Sequence, residues 1–130
     1  MWEAESRITD AELEVMRALW EKEEPMTLGQ LKAALAESHG WSGDTTKTLL
    51  RRLCEKGAVG QEKRKVYYYR PLVAREQLGR YQTQKLIDKL YAGSAKAMVA
   101  ALVENDQLEP QDVSELRAFF QELWDKEEGK

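Results

Sequence analysis

The chain has 130 residues, 42% hydrophobic and 33% charged, with a formal net charge of −3. That length suits one compact domain, or one domain with a helical appendage, and the composition allows a buried core in a soluble protein. It excludes a bilayer span, since no apolar run approaches the ~20 residues required, and a disulfide scaffold, since Cys54 is the only cysteine. The N-terminus lacks a basic region followed by an apolar segment, so the expected compartment is the cytoplasm.

In chain order, Met1 to Arg7 reads as frayed. Thr9-Asp10-Ala11-Glu12 then forms a capping box, with Ile8 and Leu13 spaced as a hydrophobic staple. Leu13, Met16, Leu19 and Trp20 make the buried stripe of a first helix, which Pro25 ends. Trp20 reads as a core anchor. The same grammar repeats at Thr27-Leu28-Gly29-Gln30, a second capping box with Met26 and Leu31 as its staple. Leu28, Leu31, Ala34 and Leu35 face the core, and Ser38-His39-Gly40 closes the helix. His39, the sole histidine, has no cysteine or second histidine nearby and takes a loop role.

The third helix spans Trp41 to Lys56, with Ser42 as N-cap, Asp44 in its first turn and Gly57 just beyond its end. At about 100° per residue, Thr46, Leu49, Leu50, Leu53 and Cys54 share one side. Asp44, Thr45, Thr48, Arg51, Arg52 and Glu55 share the other, with Lys47 at the boundary. Hydroxyls near the N-terminus and guanidinium groups further along suit a DNA major groove, where threonine reaches phosphates or base edges and arginine pairs bidentately with guanine. On this segment alone an ordinary solvated face explains the pattern equally well. Cys54 on the apolar side reads as a small buried residue.

Beyond Gly57 the period changes. Ala58–Glu62 reads as a strand, Lys63-Arg64-Lys65 as a turn and Val66–Tyr69 as a second strand rich in β-formers. Two helices, a short turn, a basic helix and this hairpin make a helix-turn-helix with a wing, whose tip carries three cations. At least one of Tyr67, Tyr68 and Tyr69 should pack inward. Charge supports the reading. Residues 1–40 hold four Lys/Arg against nine Asp/Glu, a net of −5; residues 41–70 hold eight against three, a net of +5; residues 71–130 hold eight against eleven, a net of −3. A basic segment between two acidic ones is the footprint of a local polyanion contact.

Pro71 ends the wing, giving an expected DNA-binding domain over 1–71 and a helical domain over 72–130. Helices are expected from Leu72 to about Tyr91, from Ser94, and from Glu109-Pro110. Their apolar residues Leu86, Ile87, Leu90, Met98, Leu102, Leu116, Phe120 and Leu123 are too few for a large core of their own. A self-complementary dimer would cover them and match a two-fold DNA site; folding back onto the first domain in a monomer is the alternative. An enzyme is the weakest reading: no glycine-rich phosphate loop, metal spacing or paired nucleophile appears, so no cofactor and no metal is expected.

The residues also carry a resemblance. Ile8-Thr9-Asp10-Ala11-Glu12 with Val15-Met16 and Leu19-Trp20 resembles the opening of the penicillinase repressor family (BlaI/MecI/CopY type). Trp41-Ser42, Thr45-Thr46-Lys47-Thr48-Leu49-Leu50, Arg52-Leu53 and Lys56-Gly57-Ala58 are similar to its recognition helix and wing entry, and Val66–Tyr69 with Pro71-Leu72 to its second wing strand. Leu90–Ser94 and Ala101–Glu104 match its C-terminal half. The resemblance implies a homodimeric winged-helix repressor on a palindromic double-stranded DNA operator, released by proteolysis or by metal.

The candidate DNA-binding set is therefore Ser42, Thr45, Thr46, Lys47, Thr48, Arg51, Arg52, Lys63, Arg64 and Lys65. The release motifs depart from the family. The Asn-Phe bond of the proteolysed members is replaced by Ala101-Leu102, and the C-terminus lacks the Cys-x-Cys pairs of the copper-responsive members, so neither route carries over residue by residue. The usual wing-turn glycine is replaced by Arg64 or Lys65. The other class of function open to this fold is a winged-helix protein-interaction module without sequence-specific DNA binding.

Overall fold

The computed structural model describes residues 8–129, so the stretch expected to fray, 1–7, lies outside the described residues. Helix α1 spans Asp10–Lys22, and its capping box forms as the sequence predicts: Thr9 Oγ1 accepts from the Glu12 amide at 3.2 Å, and Glu12 Oε1 accepts from the Thr9 amide at 2.9 Å. The helix ends before Pro25, because Glu23 takes the left-handed conformation at φ 60°. Helix α2 spans Leu28–His39, capped by Thr27 and Gln30 in the same reciprocal way and closed by Gly40 at φ 68°. Helix α3 spans Gly43–Glu55, with Ser42 Oγ accepting from the Thr45 amide at 3.2 Å.

The wing strands are β2 (Val59–Lys63) and β3 (Tyr67–Pro71), an antiparallel pair running from Val59 opposite Pro71 to Lys63 opposite Tyr67. Each strand lies one residue later than its expected start. Arg64, Lys65 and Val66 form the connection, closed by the Arg64 amide donating to Val66 O at 3.0 Å. Strand β1 (Met26–Thr27) pairs with β3 and completes a three-stranded sheet in the order β1-β3-β2. The local pattern marks Met26 only as a staple residue. Its pairing with Tyr69 draws it into the sheet, where it is buried.

The chain divides into two compact units that meet between Gln84 and Lys85, inside helix α4 (Arg75–Leu90). The first unit encloses one core: Val15, Met16 and Leu19 from α1, Leu31 and Leu35 from α2, Leu49, Leu50 and Leu53 from α3, with Ala58 and Val59 at the wing's root. Val73 and Leu78 belong to that core too, and Trp20 Nε1 donates to Val73 O at 2.9 Å. Trp20 thus anchors the chain beyond the expected 71/72 boundary. Tyr69 is the inward ring of the tyrosine run; Tyr67 is exposed.

The second unit holds the end of α4, helix α5 (Ala95–Glu104) and helix α6 (Pro110–Glu128). Ser94 caps α5, accepting from the Ala97 amide at 3.1 Å, and Pro110 opens α6. Neither α5 nor α6 contains a buried residue. Among the described residues, no helix is long and apolar enough to cross a membrane.

Candidate nucleic-acid interface

Helix α3 separates its faces as the periodicity predicts. Leu49, Leu50 and Leu53 are buried, while Asp44, Thr45, Lys47, Arg51 and Arg52 are exposed and Thr48 is half-buried. Thr46 corrects the expectation. It is fully buried, and its hydroxyl has no hydrogen-bond partner among the described residues, so it packs against the core and faces no outside ligand. Ser42 spends its hydroxyl on the cap and on Thr45, whose Oγ1 lies 3.0 Å away. That pairing orients both groups at the start of the helix.

Arg51 reaches forward to Glu55, with Nη1 3.2 Å and 3.4 Å from the two carboxylate oxygens. Both side chains are more than half exposed, so this i,i+4 pair contributes at most a few tenths of a kcal/mol (~0.3–0.5) and gives way readily to a better anion. Arg52 is exposed one position further round.

At the wing tip Lys63, Arg64 and Lys65 are all exposed. Arg64 is held from two sides: its guanidinium lies over the Tyr68 ring at 4.6 Å and contacts Glu62 at 3.2 Å. Lys63 Nζ sits 6.0 Å from the centre of the Tyr67 ring. An arginine stacked on an aromatic ring keeps several N–H donors for a further acceptor such as a phosphate.

Several features here have no signal in the local sequence pattern. The stem of Lys32 lies along the first residue of α3: a Cβ built on Gly43 would stand 3.1 Å from Lys32 Cδ and 3.4 Å from its Nζ. Lys32 therefore adds a cation beside the first turn of α3, from a segment whose overall charge is acidic. Glu12, which the sequence offered only as a capping residue, is buried and ion-paired with Lys56, the C-cap of α3. Burial raises its pKa, but the Lys56 ammonium and the Thr9 amide and hydroxyl outweigh that, and the net result lies below the usual glutamate value. His39, expected in a loop, is the last residue of α2; its Nε2 lies 3.1 Å from Glu14 Oε1 and its ring 4.9 Å from that of Trp41. The His39–Glu14 and Lys56–Glu12 pairings have no local signature, since their partners are 25 and 44 residues apart.

Cys54 is half-buried, and burial first, then the neighbouring Glu55, pushes its thiol above the ordinary range, so it is a poor nucleophile. Among the described residues no group of three or more His, Cys, Asp or Glu side chains could hold a metal.

Of the eight apolar residues expected at an interface, Leu86, Leu90, Leu102, Phe120 and Leu123 are exposed, and Met98 and Leu116 are half-buried. Ile87 is buried, which removes it from any accessible surface. Phe119 and Trp124, left out of that set, are as exposed as its members. Between α5 and α6 a cleft of about 370 Å³ is lined by Val99, Val103, Leu108, Val113, Leu116 and Phe120.

Comparison with known proteins places this arrangement. A profile described as penicillinase repressor matches residues 8–122. The penicillinase repressor of Bacillus licheniformis is 32% identical over 117 residues, which cover 89% of this chain and 91% of that protein. The methicillin resistance regulatory protein MecI of Mammaliicoccus sciuri is 32% identical over 112 residues, covering 85% and 89%. Among solved structures, the solution structure of the DNA-binding domain of the repressor BlaI superposes with a TM-score of 0.50 at 35% identity, over 55% of this chain and 87% of that one.

Proposed function

This chain belongs to the penicillinase repressor family, whose members are transcriptional repressors and not enzymes, and from that premise we propose that it represses transcription by binding a palindromic operator as a homodimer in the cytoplasm. The observation that carries the reading is the juxtaposition of charge and fold. The outer face of α3 presents Thr45, Lys47, Thr48, Arg51 and Arg52, and the basic wing tip of Lys63, Arg64 and Lys65 belongs to the same compact unit. In this assignment Thr45, Thr48 and Arg51 read the major groove. Ser42, Lys47, Arg52 and the wing cations meet phosphates, which fix register without carrying sequence information.

The dimer follows from what a single module lacks. One winged helix buries too little surface for tight specific binding. Two copies joined through Leu86, Leu90, Met98, Leu102, Leu116, Phe120 and Leu123 would set two α3 helices about 34–36 Å apart on DNA, or a multiple of that. The partner set is thus double-stranded DNA and a second copy, with no membrane.

The test is selection of genomic fragments by the purified chain, followed by gel shift on the selected fragment and on random duplex across a salt series. A preference for the selected fragment, with affinity falling linearly in log salt, supports the reading. A chain that binds neither duplex, or both equally, is a protein-interaction module on the same fold.

A further inference from the structure

Glu12 and Lys56 belong to none of the DNA-facing groups, yet their ion pair sits where those groups meet. Glu12 is 1% exposed. Its Oε1 accepts from the Thr9 amide at 2.9 Å and from Lys56 Nζ, while Oε2 is buried without a hydrogen-bond partner among the described residues. An apolar pair of similar volume is often at least as stable as a buried ion pair, so stability alone does not account for this one. What the pair fixes is geometry. Thr9 caps the start of α1 and Lys56 caps the end of α3, so one carboxylate oxygen holds both helix termini. Directly beyond Lys56 the chain turns at Gly57, φ 81°, and Ala58 is buried at the entry to β2. Helix α3 ends at Glu55 and the first wing strand begins four residues after it.

Helix α3 has 13 residues and is therefore about 20 Å long. A tilt of about 10° at its Lys56 end would carry its first turn through roughly 3 Å, a displacement as long as a hydrogen bond itself.

We propose that Glu12 is a positioning residue for DNA recognition: through Lys56, its buried carboxylate sets the pose of α3 and the wing on α1, and so governs sequence discrimination more than general affinity. The inference rests on the DNA-reading function proposed above, and the experiment separates the two. Binding of the full chain to the genomic fragment it selects, and to a random duplex of equal length, is measured where circular dichroism shows each variant fully folded. Lys56→Met should lower the selected-to-random affinity ratio about tenfold, the scale of one lost base contact. Random-duplex affinity should fall by no more than the loss of one cation implies. Lys56→Arg should keep most of the ratio. The double variant Glu12→Gln/Lys56→Met leaves no buried charge unpaired, which guards against a failure to fold, and it should lose the ratio as well.

An unchanged ratio in a folded variant overturns the proposal. So do equal losses on both duplexes, which would make Lys56 a phosphate contact, and recovery of the ratio in the double variant, which would reduce the pair to a stability element. If the unsubstituted chain itself shows no preference for the selected fragment, the DNA-reading function fails first and this inference falls with it.

Discussion

In the unit that ends at Gln84, Val15, Met16, Leu31 and Leu53 are fully buried around a single core. In the unit that begins at Lys85, Leu90, Phe119, Phe120, Leu123 and Trp124 each keep more than half of their surface exposed. Both units draw on the same residue types at helical spacing, so composition does not distinguish them. The difference lies in closure. Helices α1, α2 and α3, the sheet, and Val73 and Leu78 beyond it all pack into the first core, which frees the outer face of α3 to be polar. Helices α5 and α6 leave broad apolar faces open, and large exposed apolar patches mark interaction surfaces. A closed core and an open apolar surface thus occur in one chain.

The largest effect should come from the first core. Leu53→Ala removes a fully buried side chain and should cost about 2–5 kcal/mol of unfolding free energy, read by denaturant melts. Phe120→Ala with Leu123→Ala removes more carbon from exposed positions, and helicity should persist. If the proposed dimer forms through these residues, sedimentation should show it giving way to monomer at micromolar concentration. If the second pair destabilises the chain as much as Leu53→Ala and leaves the mass unchanged, those residues pack within their own chain and the contrast collapses.

The boundary of what the sequence revealed follows the range of the interactions. Thr9 with Glu12, Thr27 with Gln30, Ser42 and Gly40 act within one turn, and each stands where the local pattern predicts it. Thr46 shares the apolar side of α3, and its place inside a run of threonines does not by itself separate it from the outward-facing Thr45 and Thr48. Strand β1 is two residues long and exists only because β3 pairs with it, so no local run could announce it. Each wing strand starts one residue later than β-propensity predicts because strand ends are set by cross-strand pairing, here Lys63 with Tyr67. Glu12 with Lys56 and Trp20 with Val73 are contacts over 44 and 53 residues, which folding alone brings together.

Next in size is Arg51→Ala, which sharpens the comparison by touching function without touching a core. If Arg51 reads a base bidentately, operator affinity should drop by about 1–3 kcal/mol and specificity should relax at one operator position, while the melting temperature stays within a degree or two. Loss of the exposed Glu55 pair is too weak to confuse the result. Smaller again is the pH response of Glu12. Its folded pKa is depressed, so its contribution to stability is present above the usual value of 4.5 and is lost as pH falls through the lower folded value. Melting of the unsubstituted chain and of Glu12→Gln should therefore converge as pH drops below that value. A gap that widens in acid would mean the carboxylate is held protonated.

The smallest stability effect, and the cleanest separation of folding from function, belongs to the wing tip. Lys63, Arg64 and Lys65 are exposed, and their contacts with Glu62, Tyr67 and Tyr68 lie outside the core. Exposed ion pairs contribute about 0–1 kcal/mol, so changing all three to alanine should leave the melting temperature almost where it was. DNA affinity should behave differently. Each phosphate contact contributes close to −0.9 to the slope of log affinity against log salt, so the slope should shrink by up to about 3 per protomer. Because counterion release matters most in dilute salt, the affinity loss should be greatest there and should fade as salt rises. A triple variant that binds the selected fragment unchanged across the whole salt series would mean the tip points away from the duplex, and α3 would then carry recognition alone.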